Sequence, residues 1–330
     1  MRADGRKIRI AGSGISVPEK ILTNADLERM VETSDEWIVT RTGIRERRIA
    51  RDDQATSDLG IEAARAALAD AKLTITDMDI ILTATNTPDT IFPSTACWIQ
   101  KGLGGPPVPA FDVSAGCTGF LYGLILAESL ILSGAARRIL LLAPEMLTRV
   151  TNWEDRNTCV LFGDAAGAVV LEESEDESGM LSYFWGADGN LADLLSHPAG
   201  GSRLPASAQT VADRKHFLHM KGNEVFKHAV KRMGEAALEA LKKAGLSRED
   251  VDYLIPHQAN IRIIEATGDR LKLPREKVFV NIHKYGNCSV ATIPLGVHEL
   301  YTEGKLHKGS ILVLDAFGAG FTWAAIVYRW

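Results

Sequence analysis

Apolar residues in this chain recur in two kinds of run: short, Val/Ile/Leu-rich stretches bounded by turn formers, and longer stretches with helical spacing. The first kind reads as buried strands and the second as helices packed on them. The pattern predicts strands over 8–15, 80–85 and 108–113, a helix over 23–31 capped by Asn24, and an alanine-rich helix over 56–72. Residues 120–132 are apolar nearly all round, as a helix buried on every side is, and Gly134 marks its end. Helices are also predicted around 223–243 and 261–272; in the first, Phe226, Val230, Met233, Ala237 and Leu241 recur on one face. Strands alternating with helices predict an α/β fold whose sheets are covered on both faces.

The pattern also repeats. Residues 67–82, A-L-A-D-A-K-L-T-I-T-D-M-D-I-I-L, align without gaps on residues 240–255, A-L-K-K-A-G-L-S-R-E-D-V-D-Y-L-I, at an offset of 173. Ala67, Leu68, Ala71, Leu73, Asp77 and Asp79 meet identical residues at Ala240, Leu241, Ala244, Leu246, Asp250 and Asp252. The echo continues from 108–113 to 278–282 and from 139–143 to 311–316. Two similar halves are expected, 1–180 and 181–330, joined by a Gly-, Pro- and Ser-rich stretch beginning at Gly186.

Composition narrows the class. At 330 residues and 46% hydrophobic, the chain can bury a sizeable core without staples. Its four cysteines, at 97, 117, 159 and 288, are dispersed and share no zinc-ligand spacing with the histidines, so no metal is expected. Cysteine usage and the lack of a signal-like N-terminus suggest a reducing, cytoplasmic setting, and no apolar run of spanning length suggests a membrane. A net charge of −5 argues against general nucleic-acid binding. Gly12-Ser13-Gly14 opens no helix, so a dinucleotide fingerprint fails.

Candidate chemistry centres on Cys117, where a short strand turns into the apolar helix. Unpaired N–H groups and the positive end of a helix favour thiolate, so a nucleophile is expected there, against the bland alternative of a small core residue. If the halves pack about a pseudo-twofold axis, loops after equivalent strands converge. His257 and Asn260 of P-H-Q-A-N follow the counterpart of strand 80–85, and Asn287 of H-K-Y-G-N-C-S occupies the place of Cys117. The small residues of L-D-A-F-G-A-G-F-T-W, 314–323, offer backbone N–H groups to an oxyanion. Trp37 among Arg41, Arg45, Arg47 and Arg48 suits a phosphorylated or nucleotide-bearing ligand, or else a solvated helix with one buried tryptophan.

The motifs D-V-S-A-G-C-T-G-F, P-H-Q-A-N, H-x-Y-G-N-x-S and F-G-A-G-F-T-W closely resemble the β-ketoacyl-acyl carrier protein synthase III family of the thiolase superfamily, along essentially the whole chain. The resemblance implies an α/β thiolase fold, two similar βαβ-rich halves in α-β-α-β-α layers. It implies an acyltransferase in which Cys117 takes an acyl group from coenzyme A and condenses it with malonyl-acyl carrier protein, initiating fatty-acid synthesis. Neutral His257 and Asn287 would stabilise the enolate, and the N–H groups of Cys117 and Ala319 the tetrahedral oxyanion. By the same resemblance Trp37 and Arg156 would sandwich the adenine of coenzyme A, with Thr33, Arg41, Gly222, Asn223, Ala259 and Asn260 along its channel. Phe92, Phe162, Phe226 and Phe317 would bound the acyl pocket, Phe92 reaching into the pocket of a homodimer partner. Lys227, Arg262 and Arg270 would meet the acidic carrier protein. Coenzyme A thioester is a substrate, and no cofactor is implied.

Three positions depart from the family pattern: Ala319 stands for a frequent glycine, Cys288 for a threonine and Asp269 for the lysine of some relatives. The alternatives are a ketosynthase III-like enzyme of specialised metabolism with another acyl donor or acceptor, a cysteine hydrolase, and a non-catalytic dimeric scaffold.

Overall fold

In the computed structural model, which describes residues 5–330, strands β1 (Ile8–Ser16), β2 (Ile80–Ala84), β3 (Ala110–Val113), β4 (Arg138–Met146) and β5 (Asp164–Glu173) form one sheet in the order β1-β5-β4-β2-β3. Strands β6 (Gly179–Ala187), β7 (Tyr253–Pro256), β8 (Ile311–Gly318) and β9 (Thr322–Arg329) form a second, ordered β6-β9-β8-β7. The second order repeats the first strand for strand. Where β3 would recur, the chain makes an isolated bridge from Val278 to Leu254.

The echoed residues do the same work twice. Thr74 and Asp77 close a capping box on a short 3-10 turn, and Ser247 and Asp250 close its counterpart. Asp79 then accepts from the N–H of Arg138 at 3.0 Å as β4 begins, and Asp252 accepts from Ile311 at 2.8 Å as β8 begins. Each aspartate fixes the register of two parallel strands, which explains why these side chains and not their neighbours recur.

Residues alternate between the two faces of each sheet. Leu82, Ile139, Leu141 and Ala143 point to a central core that also holds Leu312, Leu314, Ala324 and Ile326 of the second sheet. Ile81, Leu140 and Leu142 face the opposite way, toward helices α1 (Thr56–Asp70) and α2 (Thr95–Leu103). Helices α3 (Gly119–Leu132) and, near the C-terminus, Thr292–Thr302 fill the layer between the sheets, so the all-apolar surface of α3 is buried against both. Helix α4 (Gly222–Ala244) covers the outer face of the second sheet with Ala236, Ala237, Ala240 and Leu241, beside helix α5 (Ile261–Leu271). The result is the α-β-α-β-α layering of the thiolase fold.

Two local expectations change. The early helix covers only Asn24–Glu28, and Thr23, not Asn24, is its cap: its hydroxyl and the Asp26 carboxylate form a capping box. The strand expected from 108 begins at Ala110. No helix among the described residues is long and apolar enough to cross a membrane.

Candidate active site

Cys117 sits in the turn between β3 and α3, two residues before the helix begins at Gly119. Gly116 takes φ +58°, and a Cβ there would lie 2.5 Å from the nitrogen of Ala319. A Cβ on Gly318 would lie 2.2 Å from the nitrogen of Cys117. The cysteine turn and the end of β8 are therefore pressed backbone to backbone, a contact only glycine permits. The hydroxyls of Thr118 and Thr322, 2.8 Å apart, converge on the carbonyl of Ala115 and tie the two halves together beside the sulfur.

His257 follows β7, and its N–H donates to the carbonyl of Asp315 on β8 at 2.7 Å. Its Nδ1 lies 2.7 Å from Thr292 Oγ1, which in turn reaches the carbonyl of Ser289 at 3.0 Å. With the threonine hydroxyl donated to Ser289, Nδ1 carries the ring proton and Nε2 the lone pair; turning the hydroxyl onto Nδ1 selects the tautomer with a proton on Nε2. Asn287 is clamped by its backbone, which donates to Leu161 O at 2.8 Å and accepts from Gly163 N at 3.1 Å. Its Oδ1 accepts the N–H of Ser289 at 2.9 Å, leaving Nδ2 as the donor end.

Electrostatics here correct the thiolate expectation. Burial pushes the Cys117 thiol up to about 12, against the opposing pull of a Ser289 hydroxyl that donates to Sγ at 3.4 Å; the Glu145 carboxylate pushes it further up. Desolvation is the largest influence on this part-buried cysteine, greater than the hydrogen bond that opposes it. Burial also holds His257 down at about 3. The resting pair is a neutral thiol and a neutral imidazole.

Cys117, His257, Asn287 and Ala319 line one cavity of about 640 Å³. Phe162, Phe226 and Phe317 line it as well, as do Trp37, Arg41, Gly222, Asn223, Ala259, Asn260 and Arg262. Thr33, Arg156, Lys227 and Arg270 lie outside this lining. Arg156 nevertheless reaches Trp37: its guanidinium stacks 4.9 Å from the indole centroid, occupying the space that a sandwiched base would take. Asn260 spends its amide on structure, capping α5 through Arg262 N and donating to Arg41 O at 2.9 Å. Lys227 pairs with Glu224 and Arg270 with Glu235, while Arg262 stacks on Phe226. Phe92 is 83% exposed, away from this cavity.

Four site residues escape sequence reasoning: Ser289, Thr292, Asn86 and Glu145. Asn86 and Glu145 belong to a buried network in which the carboxylate accepts from Thr85 Oγ1, Thr87 Oγ1 and the backbone and side chain of Asn86. The final serine of H-x-Y-G-N-x-S is the one signal that marked any of them.

Comparison with known proteins follows the same lines. Family models described as 3-oxoacyl-[acyl-carrier-protein] synthase III and its C-terminal part match residues 111–189 and 241–330. The β-ketoacyl-[acyl-carrier-protein] synthase III of Roseiflexus castenholzii is 54% identical over 321 residues, 97% of each chain. The protein of the same name from Caldanaerobacter subterraneus is also 54% identical over 97% of each chain. The crystal structure of 3-oxoacyl-[acyl-carrier-protein] synthase III from Aquifex aeolicus superposes with a TM-score of 0.90 at 47% identity, covering 98% of this chain and 100% of that one. On sequence, fold and coverage together, the chain belongs to the 3-oxoacyl-[acyl-carrier-protein] synthase III family.

Proposed function

We propose that this chain initiates fatty-acid synthesis by a decarboxylating Claisen condensation. An acyl group, acetyl in the first instance, passes from coenzyme A to Cys117, and the acyl-enzyme condenses with malonyl-acyl carrier protein to give 3-oxoacyl-acyl carrier protein and carbon dioxide. The observation that carries this reading is the meeting of one thiol with two neutral polar groups, His257 and Asn287, on one aromatic-walled cavity. The shared name of relatives at 54% identity favours it over a role in specialised metabolism.

In the first step the Cys117 sulfur attacks the thioester carbonyl, and the N–H groups of Cys117 and Ala319 hold the oxyanion. The bond to the coenzyme A sulfur breaks, and the thiol proton leaves with that sulfur, the lone pair of His257 Nε2 serving as its relay. In the second step the malonyl carboxylate departs as carbon dioxide, and the electron pair of the broken bond forms an enolate. Asn287 Nδ2 and His257 Nε2–H stabilise its oxygen. The enolate carbon attacks the acyl carbonyl and expels the Cys117 sulfur, which takes up from solvent the one proton that the condensation consumes. A neutral pair suits this step, because a carboxylate beside the enolate would repel it.

Trp37, Arg41 and Arg156 bind the nucleotide end of coenzyme A, Arg156 swinging off the indole, with Thr33, Gly222, Asn223, Ala259 and Asn260 along the channel. Lys227, Arg262 and Arg270 meet the carrier protein. A homodimer is supported by the edge of β3, unpaired among the described residues, with Phe111 on it and Ile91 and Phe92 exposed nearby, Phe92 entering the partner's acyl pocket. The reaction needs no cofactor and runs in the cytoplasm. Incubation with acetyl-coenzyme A and malonyl-acyl carrier protein tests the proposal: carbon dioxide and acetoacetyl-carrier protein are expected, and acylated Cys117 without either product overturns it.

A further inference from the structure

Ser289 is buried, 1% exposed, and takes φ +48°, a left-handed conformation that costs a side-chain-bearing residue energy. Its N–H, hydroxyl and carbonyl all reach the reactive groups, the carbonyl through Thr292. Its N–H donates to Asn287 Oδ1 at 2.9 Å, its hydroxyl donates to Cys117 Sγ at 3.4 Å, and its carbonyl accepts from Thr292, the partner of His257 Nδ1. The hydroxyl proton is itself aimed. One hydrogen of Asn86 Nδ2 goes to Glu145 Oε2 at 2.8 Å and the other to Ser289 Oγ at 3.2 Å, so the serine oxygen is an acceptor on that side and its own proton is left for the sulfur.

We propose that Ser289 is a positioning residue that serves all three reactive side chains at once, orienting the Asn287 amide, holding the Thr292 hydroxyl against His257 Nδ1 and donating to the sulfur of Cys117. The inference rests on the condensation proposed above for the roles of Asn287 and His257; its sulfur contact does not. The left-handed residue opens a short 3-10 turn, Ser289–Ala291: its carbonyl accepts both the N–H and the hydroxyl of Thr292, while its own N–H, which has no partner inside the turn, goes to Asn287 Oδ1.

Two variants test it, each with a readout that a merely structural role leaves alone. Ser289→Ala keeps the backbone and removes the hydroxyl. Alkylation of Cys117 by iodoacetamide, which needs no substrate, should slow about fivefold at pH 8.5, the loss of one hydrogen bond to a charged sulfur. Ser289→Gly relieves the left-handed strain and releases the backbone. It should melt about 2 °C above Ser289→Ala and yet decarboxylate malonyl-acyl carrier protein more slowly than Ser289→Ala does. Stability and activity moving in opposite directions supports positioning. Alkylation of Ser289→Ala at the wild-type rate, or activity losses that follow melting temperature across both variants, overturns it. If wild-type protein decarboxylates nothing, the condensation itself fails, while the alkylation comparison still decides whether Ser289 acts on the sulfur.

Discussion

Gly318→Ala places one methyl group at the closest approach of the two halves. Its Cβ would lie 2.2 Å from Cys117 N, 3.0 Å from its Cα and 3.1 Å from its Cβ, all atoms with little freedom to yield. The shortfall from ordinary contact is about 1 Å, and the backbone of either β8 or the cysteine turn has to give it. That displacement separates the N–H groups of Cys117 and Ala319. A misplacement of this size costs roughly 100-fold in rate, and loss of one oxyanion donor roughly 100- to 1000-fold. Overpacking costs about 1–3 kcal/mol of stability, so the variant should fold and melt several degrees low. Single-turnover acylation by acetyl-coenzyme A, followed by intact-protein mass spectrometry, reads the rate; a thermal melt reads the fold. Gly189→Ala, where an added Cβ meets open space, is the control. Acylation of Gly318→Ala within about threefold of wild type would refute the claim that backbone contact between the halves builds the oxyanion site.

Three further outcomes are expected. Because burial raises the Cys117 thiol to about 12, the reactive thiolate is the minor form at neutral pH, and iodoacetamide alkylation should rise about tenfold per pH unit from 7 to 9 without a plateau. A pH-independent rate over that range would mean a thiolate–imidazolium pair instead. Thr292→Val strips His257 Nδ1 of its partner at 2.7 Å; kcat for malonyl decarboxylation should fall about tenfold while KM for the carrier protein stays within about twofold, and an unchanged kcat would remove Thr292 from the site. Asn287→Asp puts a carboxylate where the enolate forms, so decarboxylation should collapse while Cys117 acylation largely survives; equal loss of both steps contradicts the division of roles.

Much of this was legible in the chain. The gap-free echo at an offset of 173 points to two similar halves, and the repeated aspartates recur because each pins a strand start. The all-apolar helix after Cys117 announced a layer buried on both sides. The internal symmetry alone brings His257 and Asn287 to the cysteine, and all three line one cavity. The thiol's charge state is not legible in the same way, because helix placement is local whereas desolvation depends on every element packed around the cavity. The roles of Ser289 and Thr292 are hidden for a similar reason: the motif marks the serine, but a left-handed residue reaching three side chains has no sequence period. The stacking of Arg156 on Trp37 depends on an exposed, flexible side chain, whose position no pattern encodes.

The most direct measurement is the mass of the protein after acetyl-coenzyme A and again after malonyl-acyl carrier protein. An acetyl adduct on Cys117 that is then discharged into acetoacetyl-carrier protein, with one carbon dioxide released per adduct lost, is the predicted result. Discharge of the adduct as free acetate, or no adduct on Cys117 at all, would contradict it.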